Sequence, residues 1–157
     1  MATKPEVGTK APIFELDTDT GGRISSADLT GKKVVVYFYP KDDTSGCTKQ
    51  AIEFSALEDQ FDRLGARIVG ISADSPQKHD KFKAKHNLTI TLASDEQHQT
   101  LQAYGVWVEK NMYGRKFMGI ERSTFLINED GIISSVWRKV RVPGHVEAVL
   151  AAVKSLK

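Results

Sequence analysis

The pattern of apolar and polar residues divides the first half of the chain into alternating strands and helices. Val34 to Tyr39 is an unbroken apolar run rich in β-branched and aromatic residues, which predicts a strand buried on both faces of a sheet. From Cys47 to Leu64, apolar residues recur at steps of three or four, which predicts a helix. Ala66 to Ala73 predicts a second buried strand, and Asp74-Ser75-Pro76 begins a second helix, because proline suits the first helical turn.

The rest of the chain continues the alternation. The second helix is predicted to end near Asn87. The further elements are a hairpin of Pro12 to Asp17 with Gly22 to Ser25, a turn or short helix at Ala27 to Lys33, a strand at Leu92 to Ser94, a helix at Glu96 to Tyr104, strands at Ser123 to Ile127 and Ile132 to Trp137, and a last helix from Gly144 or His145. Val106 to Gly119 lacks periodicity and is interpreted as a functional loop or short strand. Strands that alternate with helices predict a single α/β domain over residues 1–157, with a mixed central sheet flanked by helices.

The only cysteine falls where this pattern places an anion site. Pro40 ends the central strand because proline cannot donate to the sheet, and Asp42 to Gly46 form a polar loop. Thr44 and Ser45 stand at the expected N-cap, so Cys47 lies in the first turn of the helix, just past the carboxyl end of a central strand. Free N–H groups and the helix dipole stabilise a thiolate there.

The pattern leaves a second interpretation open. Free cysteine is among the most buried residue types and is usually inert. Cys47 shares its helix face with core residues such as Ala51 and Phe54, which suits an inert core thiol.

Composition and charge exclude several functions. The chain has 157 residues, 40 % hydrophobic and 27 % charged, which is typical of one globular domain. A formal net charge of +2 is too small to indicate nucleic-acid binding, and no apolar run reaches the length of a membrane span. One cysteine suits a reducing compartment, and the first residues lack the apolar core of a signal peptide, so we expect a cytoplasmic location.

Other candidate signals favour ordinary explanations. The four histidines, His79, His86, His98 and His145, lack metal-ligand spacing and are interpreted as scattered surface residues. The basic run of Arg138, Lys139 and Arg141 is interpreted as a solvated strand end. Glycine-rich nucleotide-binding motifs are absent from the sequence, so neither a metal nor another cofactor is expected.

Pro40, Thr44 and Cys47 reproduce the Pro-x-x-x-Thr-x-x-Cys signature of peroxiredoxins. The wider Tyr-Phe-Tyr-Pro-Lys-Asp-x-Thr-x-Gly-Cys-Thr context, with Lys110 to Gly114 and Gly119 to Phe125 downstream, resembles the bacterioferritin comigratory protein, or peroxiredoxin Q, subfamily. The resemblance covers nearly the whole chain. It implies a thioredoxin-like fold with an N-terminal β-hairpin extension.

The resemblance also implies roles for matching positions. Cys47 matches the peroxidatic cysteine, and Thr44 the threonine whose hydroxyl contacts thiolate and peroxide. Pro40 matches the proline that shields the sulfur from water, and Arg122 the arginine that pairs with the thiolate and the peroxide oxygens. The backbone N–H of Gly46 is expected to bind peroxide, and Gln50 occupies a position where subfamily members carry Glu or Gln.

The chain departs from the subfamily at its second thiol. Ser45 replaces a more usual proline. Related proteins carry the resolving cysteine at the position of Ile52 or of Lys83, and neither residue is a thiol. An intramolecular disulfide is therefore impossible, and a 1-Cys cycle is expected.

We therefore predict a thiol-specific peroxidase. Cys47 reduces hydrogen peroxide and organic hydroperoxides, becomes a sulfenic acid, and is restored by an external thiol such as thioredoxin, glutaredoxin or glutathione. No nucleic-acid or membrane partner is expected, and the protein is predicted to be a monomer or weak dimer. The alternatives from other classes are a non-catalytic thioredoxin-like redox-sensing or binding module, and a structural domain that docks a partner through its basic residues.

Overall fold

A computed structural model of the protein describes residues 4–19 and 22–156. Its strands are β1 (Glu15–Asp17), β2 (Arg23–Ser25), β3 (Lys33–Phe38), β4 (Ala66–Ser72), β5 (Thr91–Ser94), β6 (Trp107–Met112), β7 (Arg115–Ile120), β8 (Ser123–Ile127) and β9 (Ile133–Trp137). Its helices are α1 (Ser45–Arg63), α2 (Pro76–His86), α3 (Gln99–Ala103) and α4 (His145–Ser155), and a 3-10 turn spans Ser26–Leu29.

Seven strands form a mixed sheet in the order β2-β1-β5-β4-β3-β8-β9. β4 is parallel to both β3 and β5, whereas β8 is antiparallel to β3 and β9 is antiparallel to β8. This arrangement confirms the predicted thioredoxin-like α/β fold. β1 and β2 pair as the predicted N-terminal hairpin at one edge, and the predicted turn residues Thr20 and Gly21 lie outside the described residues.

The central strand β3 is buried on both faces, as its unbroken apolar run predicts. Tyr37 faces the core formed with α1, α2 and α4, where its ring stacks on Phe54 at 4.6 Å between ring centroids. Phe38 faces the opposite core, built from α3 and the N-terminal segment. Gly70 on β4 lets the Tyr37 ring approach, because a Cβ there would lie 2.6 Å from the ring. Helices on both faces therefore cover the middle of the sheet.

The turn from β3 into α1 forms as predicted and positions the cysteine. Thr44 is the N-cap with an extended backbone, so Cys47 is the third residue of the helix. Beyond the other end of α1, Gly65 adopts a left-handed φ of 76°, which suits a residue without a side chain. α2 likewise begins at Pro76 after the Ser75 N-cap, whose side chain accepts a hydrogen bond from the Lys78 N–H at 3.2 Å.

Two predictions of local structure need correction. The region predicted as a loop or short strand, Val106 to Gly119, contains two six-residue strands, β6 and β7, that pair as a separate antiparallel hairpin. Tyr113 and Gly114 form its turn with φ values of 54° and 79°. The helix predicted from Glu96 begins only at Gln99, because His98 adopts a left-handed φ of 64°.

The prediction of surface histidines is wrong for two of the four. His79 and His145 are buried, because each fills a place in the core and bonds a polar partner there. The prediction of a solvated basic run is wrong for Arg138, which is half-buried, with its guanidinium 5.3 Å from the centre of the Phe125 ring.

Candidate active site

The Cys47 thiol lies at the start of α1 in a protected position. The residue is only 1 % exposed, because its helix face packs on the core beside Tyr37 and Ala51. The side chain of Thr44 makes no capping hydrogen bond, so it leaves the N–H groups of the first turn without a side-chain acceptor from the N-cap. Those N–H groups and the helix dipole favour negative charge on the sulfur.

Arg122 joins the sulfur to a buried amide. It immediately precedes β8, and its Nη2 donates to Cys47 Sγ at 3.2 Å while its Nη1 donates to Gln50 Oε1 at 2.6 Å. Gly46 permits this approach, since a Cβ at that position would lie 3.2 Å from Nη2. Gln50 is completely buried, and its Nε2 has no hydrogen-bond partner among the described residues. The structure thus brings together four of the predicted residues: Gly46, Cys47, Gln50 and Arg122.

Thr44 and Pro40 lie in the same turn without a described contact to the sulfur. The Thr44 hydroxyl donates to the backbone carbonyl of Lys41 at 2.8 Å, and both Thr44 and Pro40 are exposed. The hydroxyl therefore links Thr44 back to Lys41 within the turn that precedes α1. Its expected contact with peroxide, and the shielding by Pro40, stay predictions.

The charge of Arg122 extends to groups on other elements. Burial, followed by the charge of Arg122, lowers the pKa of His145 to about 4, so this histidine is neutral at neutral pH. Its Nε2 lies 2.8 Å from the Thr124 hydroxyl on β8. The same two causes, in the same order, lower the pKa of Lys110 on β6. Arg122 is therefore the centre of a positive environment around Cys47.

A second buried polar cluster anchors the loop that precedes Cys47, and the sequence analysis did not identify it. Asp42 accepts from the Tyr39 hydroxyl at 2.6 Å through Oδ1, and its Oδ2 lies 2.6 Å from His79 Nδ1 on α2. The backbone N–H of Asp42 donates to Asp74 Oδ2 at 2.8 Å. The available signal was the helical spacing of His79 and Phe82, which places the histidine on the buried face of α2.

The neighbouring carboxylate, Asp43, binds the same helix from outside. Its backbone adopts a left-handed φ of 63°, and its oxygens lie 2.8 Å from Lys85 Nζ and 3.0 Å from His86 Nε2. These two contacts lower the pKa of Asp43, with Lys85 the larger cause. Successive residues of the cysteine loop are therefore held by α2.

The two positions related to resolving cysteines are both helical. Ile52 lies on α1 with 43 % of its surface exposed, and Lys83 lies on α2, the helix that carries His79. Within residues 4–19 and 22–156, no three His, Cys, Asp or Glu side chains are grouped to hold a metal ion. No helix in that part of the chain is both long and apolar enough to cross a membrane.

The site is a buried thiol at a helix start whose N-cap side chain makes no hydrogen bond, and an arginine from the end of the neighbouring strand contacts it. This arrangement defines a thiol peroxidase of thioredoxin-like fold. The chain belongs to the AhpC/TSA family, which it matches over residues 7–136. It is 54 % identical over 145 residues to a bcp-type peroxiredoxin of Coxiella burnetii, covering 92 % of this chain and 96 % of that one.

Solved structures of the same subfamily show the same fold. The bacterioferritin comigratory protein of Xanthomonas campestris, which has alkyl peroxide reduction activity, superimposes with a TM-score of 0.86 at 44 % identity over 90 % of each chain. A variant of the PrxQ protein of Xylella fastidiosa superimposes with a TM-score of 0.92 at 37 % identity over 98 % of each chain. These similarities confirm the subfamily and the peroxidase class predicted from the sequence.

Proposed function

We propose that the protein reduces hydrogen peroxide and organic hydroperoxides through Cys47 and is recycled by an external thiol. The observation that carries this proposal is the Arg122 guanidinium, which lies 3.2 Å from Cys47 Sγ and 2.6 Å from Gln50 Oε1. A cation held in this way stabilises the thiolate and is preorganised for the charge that develops on a departing oxygen.

The chemical step is a displacement at the peroxide O–O bond. The Cys47 thiolate attacks the terminal oxygen, so an S–O bond forms as the O–O bond breaks, and the leaving oxygen takes up a proton to give water or an alcohol. Cys47 becomes a sulfenic acid. The Arg122 guanidinium and the N–H groups of Gly46 and Cys47 bind the oxygens more tightly as charge develops, which accelerates the step.

Gln50 has a substrate-binding role in this proposal. Its Oε1 holds Arg122 in place, and its buried Nε2 is a donor without a partner among the described residues. A buried donor without an acceptor is unfavourable, so a peroxide oxygen that accepts from Nε2 gains affinity. By analogy with the matching family positions, Thr44 contributes its hydroxyl to the bound peroxide and Pro40 excludes water from the thiolate.

Recycling needs an external reductant, because the chain has one cysteine. A thiol attacks the sulfenic acid, releases water and forms a mixed disulfide, and a second thiol frees Cys47. Thioredoxin, glutaredoxin and glutathione are the candidate reductants. This need for reduced thiols supports a cytoplasmic location. In this proposal the protein is a single domain that acts as a monomer or weak dimer.

The test is peroxide consumption with each reductant in turn. Cys47→Ser is expected to abolish turnover without loss of fold, because serine is nearly isosteric with cysteine. Cys47→Ala, which also removes the hydroxyl, is the second control. Substantial turnover by a folded Cys47→Ser variant would assign the chemistry to another group and overturn the proposal.

A further inference from the structure

A buried hydrogen-bonded pair of side chains, Asp42 and His79, connects the cysteine loop to α2. His79 is 0 % exposed, and its ring nitrogens contact three oxygens. Asp42 Oδ2 lies 2.6 Å and the Tyr39 hydroxyl oxygen 3.5 Å from Nδ1, and the Ala93 carbonyl oxygen lies 3.1 Å from Nε2. Asp42 lies in the cysteine loop, His79 in α2 and Ala93 in β5. One side chain links three elements at the carboxyl end of the sheet.

The contacts of His79 define its protonation. A backbone carbonyl oxygen can only accept, so Nε2 must carry a proton. Asp42 accepts from the Tyr39 hydroxyl through its other oxygen. Nδ1 and Asp42 Oδ2 lie 2.6 Å apart, so one proton is shared between them, because two lone pairs would repel at that distance. The geometry therefore describes a buried histidine that donates from Nε2 to Ala93 and is hydrogen-bonded through Nδ1 to Asp42.

The pair controls the direction in which the loop enters α1. Asp42 is also held through its backbone N–H by Asp74, whose Oδ2 accepts from the Ser72 hydroxyl at 2.8 Å. Two residues later the chain reaches Thr44, the N-cap of α1, and three further residues bring it to Cys47. Asp42 thus fixes the first turn of α1 from the α2 side, while Arg122 binds its sulfur from the β8 side.

We propose that His79 is a positioning residue for Cys47: it holds Asp42 through Nδ1, and through Asp42 it keeps the first turn of α1 in register with Arg122. This inference rests on the proposed function, since it assigns the pair to the peroxide-reacting arrangement of the loop. The exposed contacts of Asp43 with Lys85 and His86 reinforce the same attachment. Loss of the pair is expected to release the sulfur from Arg122. Because Cys47 is only 1 % exposed, the same loss opens the sulfur to larger reagents.

The protonation is tested without any activity measurement. In protein labelled with nitrogen-15 at histidine, the imidazole spectrum at neutral pH is expected to show a proton on Nε2 of His79 that exchanges slowly with solvent. Asp42→Asn should keep this proton, because the Ala93 carbonyl oxygen still accepts from Nε2. A wild-type His79 without a proton on Nε2 would overturn the proposal, whatever the peroxidase activity proves to be.

The positioning role is tested by two rates that should change in opposite directions. Asp42→Asn and His79→Gln are expected to slow oxidation of Cys47 by hydrogen peroxide by about tenfold or more, since small misplacements of reacting groups have effects of this size or larger. The same variants should react several times faster with iodoacetamide, because the thiol is more accessible. Asp42→Asn is isosteric and protects the test if His79→Gln fails to fold.

His98→Gln is the matched control, because its ring stacks on Trp107 at 3.9 Å and belongs to the start of α3. Both rates are expected to equal those of the wild type in this variant. If folded Asp42→Asn also keeps both wild-type rates, His79 is an ordinary core histidine and the proposal is wrong. If both rates fall together, the variant has lost thiolate while the first turn of α1 has kept its position. That result likewise contradicts the proposal.

Discussion

The turn that carries Cys47 and the β6–β7 hairpin are both irregular additions to the sheet, yet they are built in opposite ways. The Cys47 turn buries Cys47 and Asp42 and is bound from two sides, by Arg122 and by the Asp42–His79 pair. The hairpin forms its own two-stranded sheet, and its tip residue Tyr113 is 98 % exposed. Side-chain support is therefore concentrated around the sulfur, whereas most residues of the hairpin face solvent.

The largest effect is expected from removing the guanidinium that contacts the sulfur. Arg122→Met keeps an unbranched apolar stem and loses both donors, so oxidation of Cys47 by hydrogen peroxide should slow by about a hundredfold to a thousandfold. The rate of alkylation by iodoacetamide at neutral pH should also fall, because the thiolate loses its cation. Stopped-flow oxidation and alkylation rates check both outcomes. Wild-type values for both would make Arg122 an ordinary surface residue.

A moderate loss of stability is expected at low pH because of His145. Burial and Arg122 lower the pKa of this histidine to about 4, so below the ordinary value of about 6.5 the unfolded chain binds a proton that the folded chain does not. Its contribution to stability is complete above pH 6.5 and is lost as the pH falls towards 4, by at most about 1.4 kcal/mol per pH unit.

The measurement is the difference in unfolding free energy between wild type and His145→Gln, followed from pH 7 to pH 4. The wild type should lose more stability than the variant across this window. His98→Gln, at the start of α3, corrects for the general cost of replacing a histidine. Parallel curves for wild type and His145→Gln would show that His145 is not buried in its neutral form.

The smallest effect is expected at the hairpin tip. Tyr113→Asn replaces an exposed side chain at a left-handed φ of 54°, a conformation that asparagine tolerates well. The unfolding free energy should change by no more than about 0.5 kcal/mol, and the peroxide rate should equal that of the wild type. Denaturant unfolding and stopped-flow oxidation are the measurements. A tenfold loss of rate would show that the hairpin supports the site after all.

The same contrast explains how much was predictable from the sequence. β3 and the start of α1 were predicted correctly, because burial on both faces, a proline stop and an N-cap are local signals. The hairpin was not, since most of its residues are exposed and leave no alternating apolar pattern. Gly114, which lies in its turn with a left-handed φ, was the local signal of it in the sequence.

The buried histidines were missed for a different physical reason. His79 is stabilised by Asp42, which is 37 positions away in the chain, and His145 by Thr124, which is 21 positions away. Partners so distant in the sequence meet only when the sheet assembles. The pairing of Arg122 with Cys47 spans 75 positions and was anticipated only through the resemblance to peroxiredoxins.

The central claim is that Cys47 alone carries the reaction, and one equivalent of hydrogen peroxide tests it directly. Reduced protein is mixed with the peroxide in the presence of a carbon nucleophile that traps sulfenic acids, and intact mass and a non-reducing gel are then recorded. We predict one trapped adduct per chain at Cys47 and a predominantly monomeric band, because two recessed first-turn cysteines cannot readily reach disulfide geometry. An unmodified chain, or a mainly disulfide-linked dimer, would contradict the account.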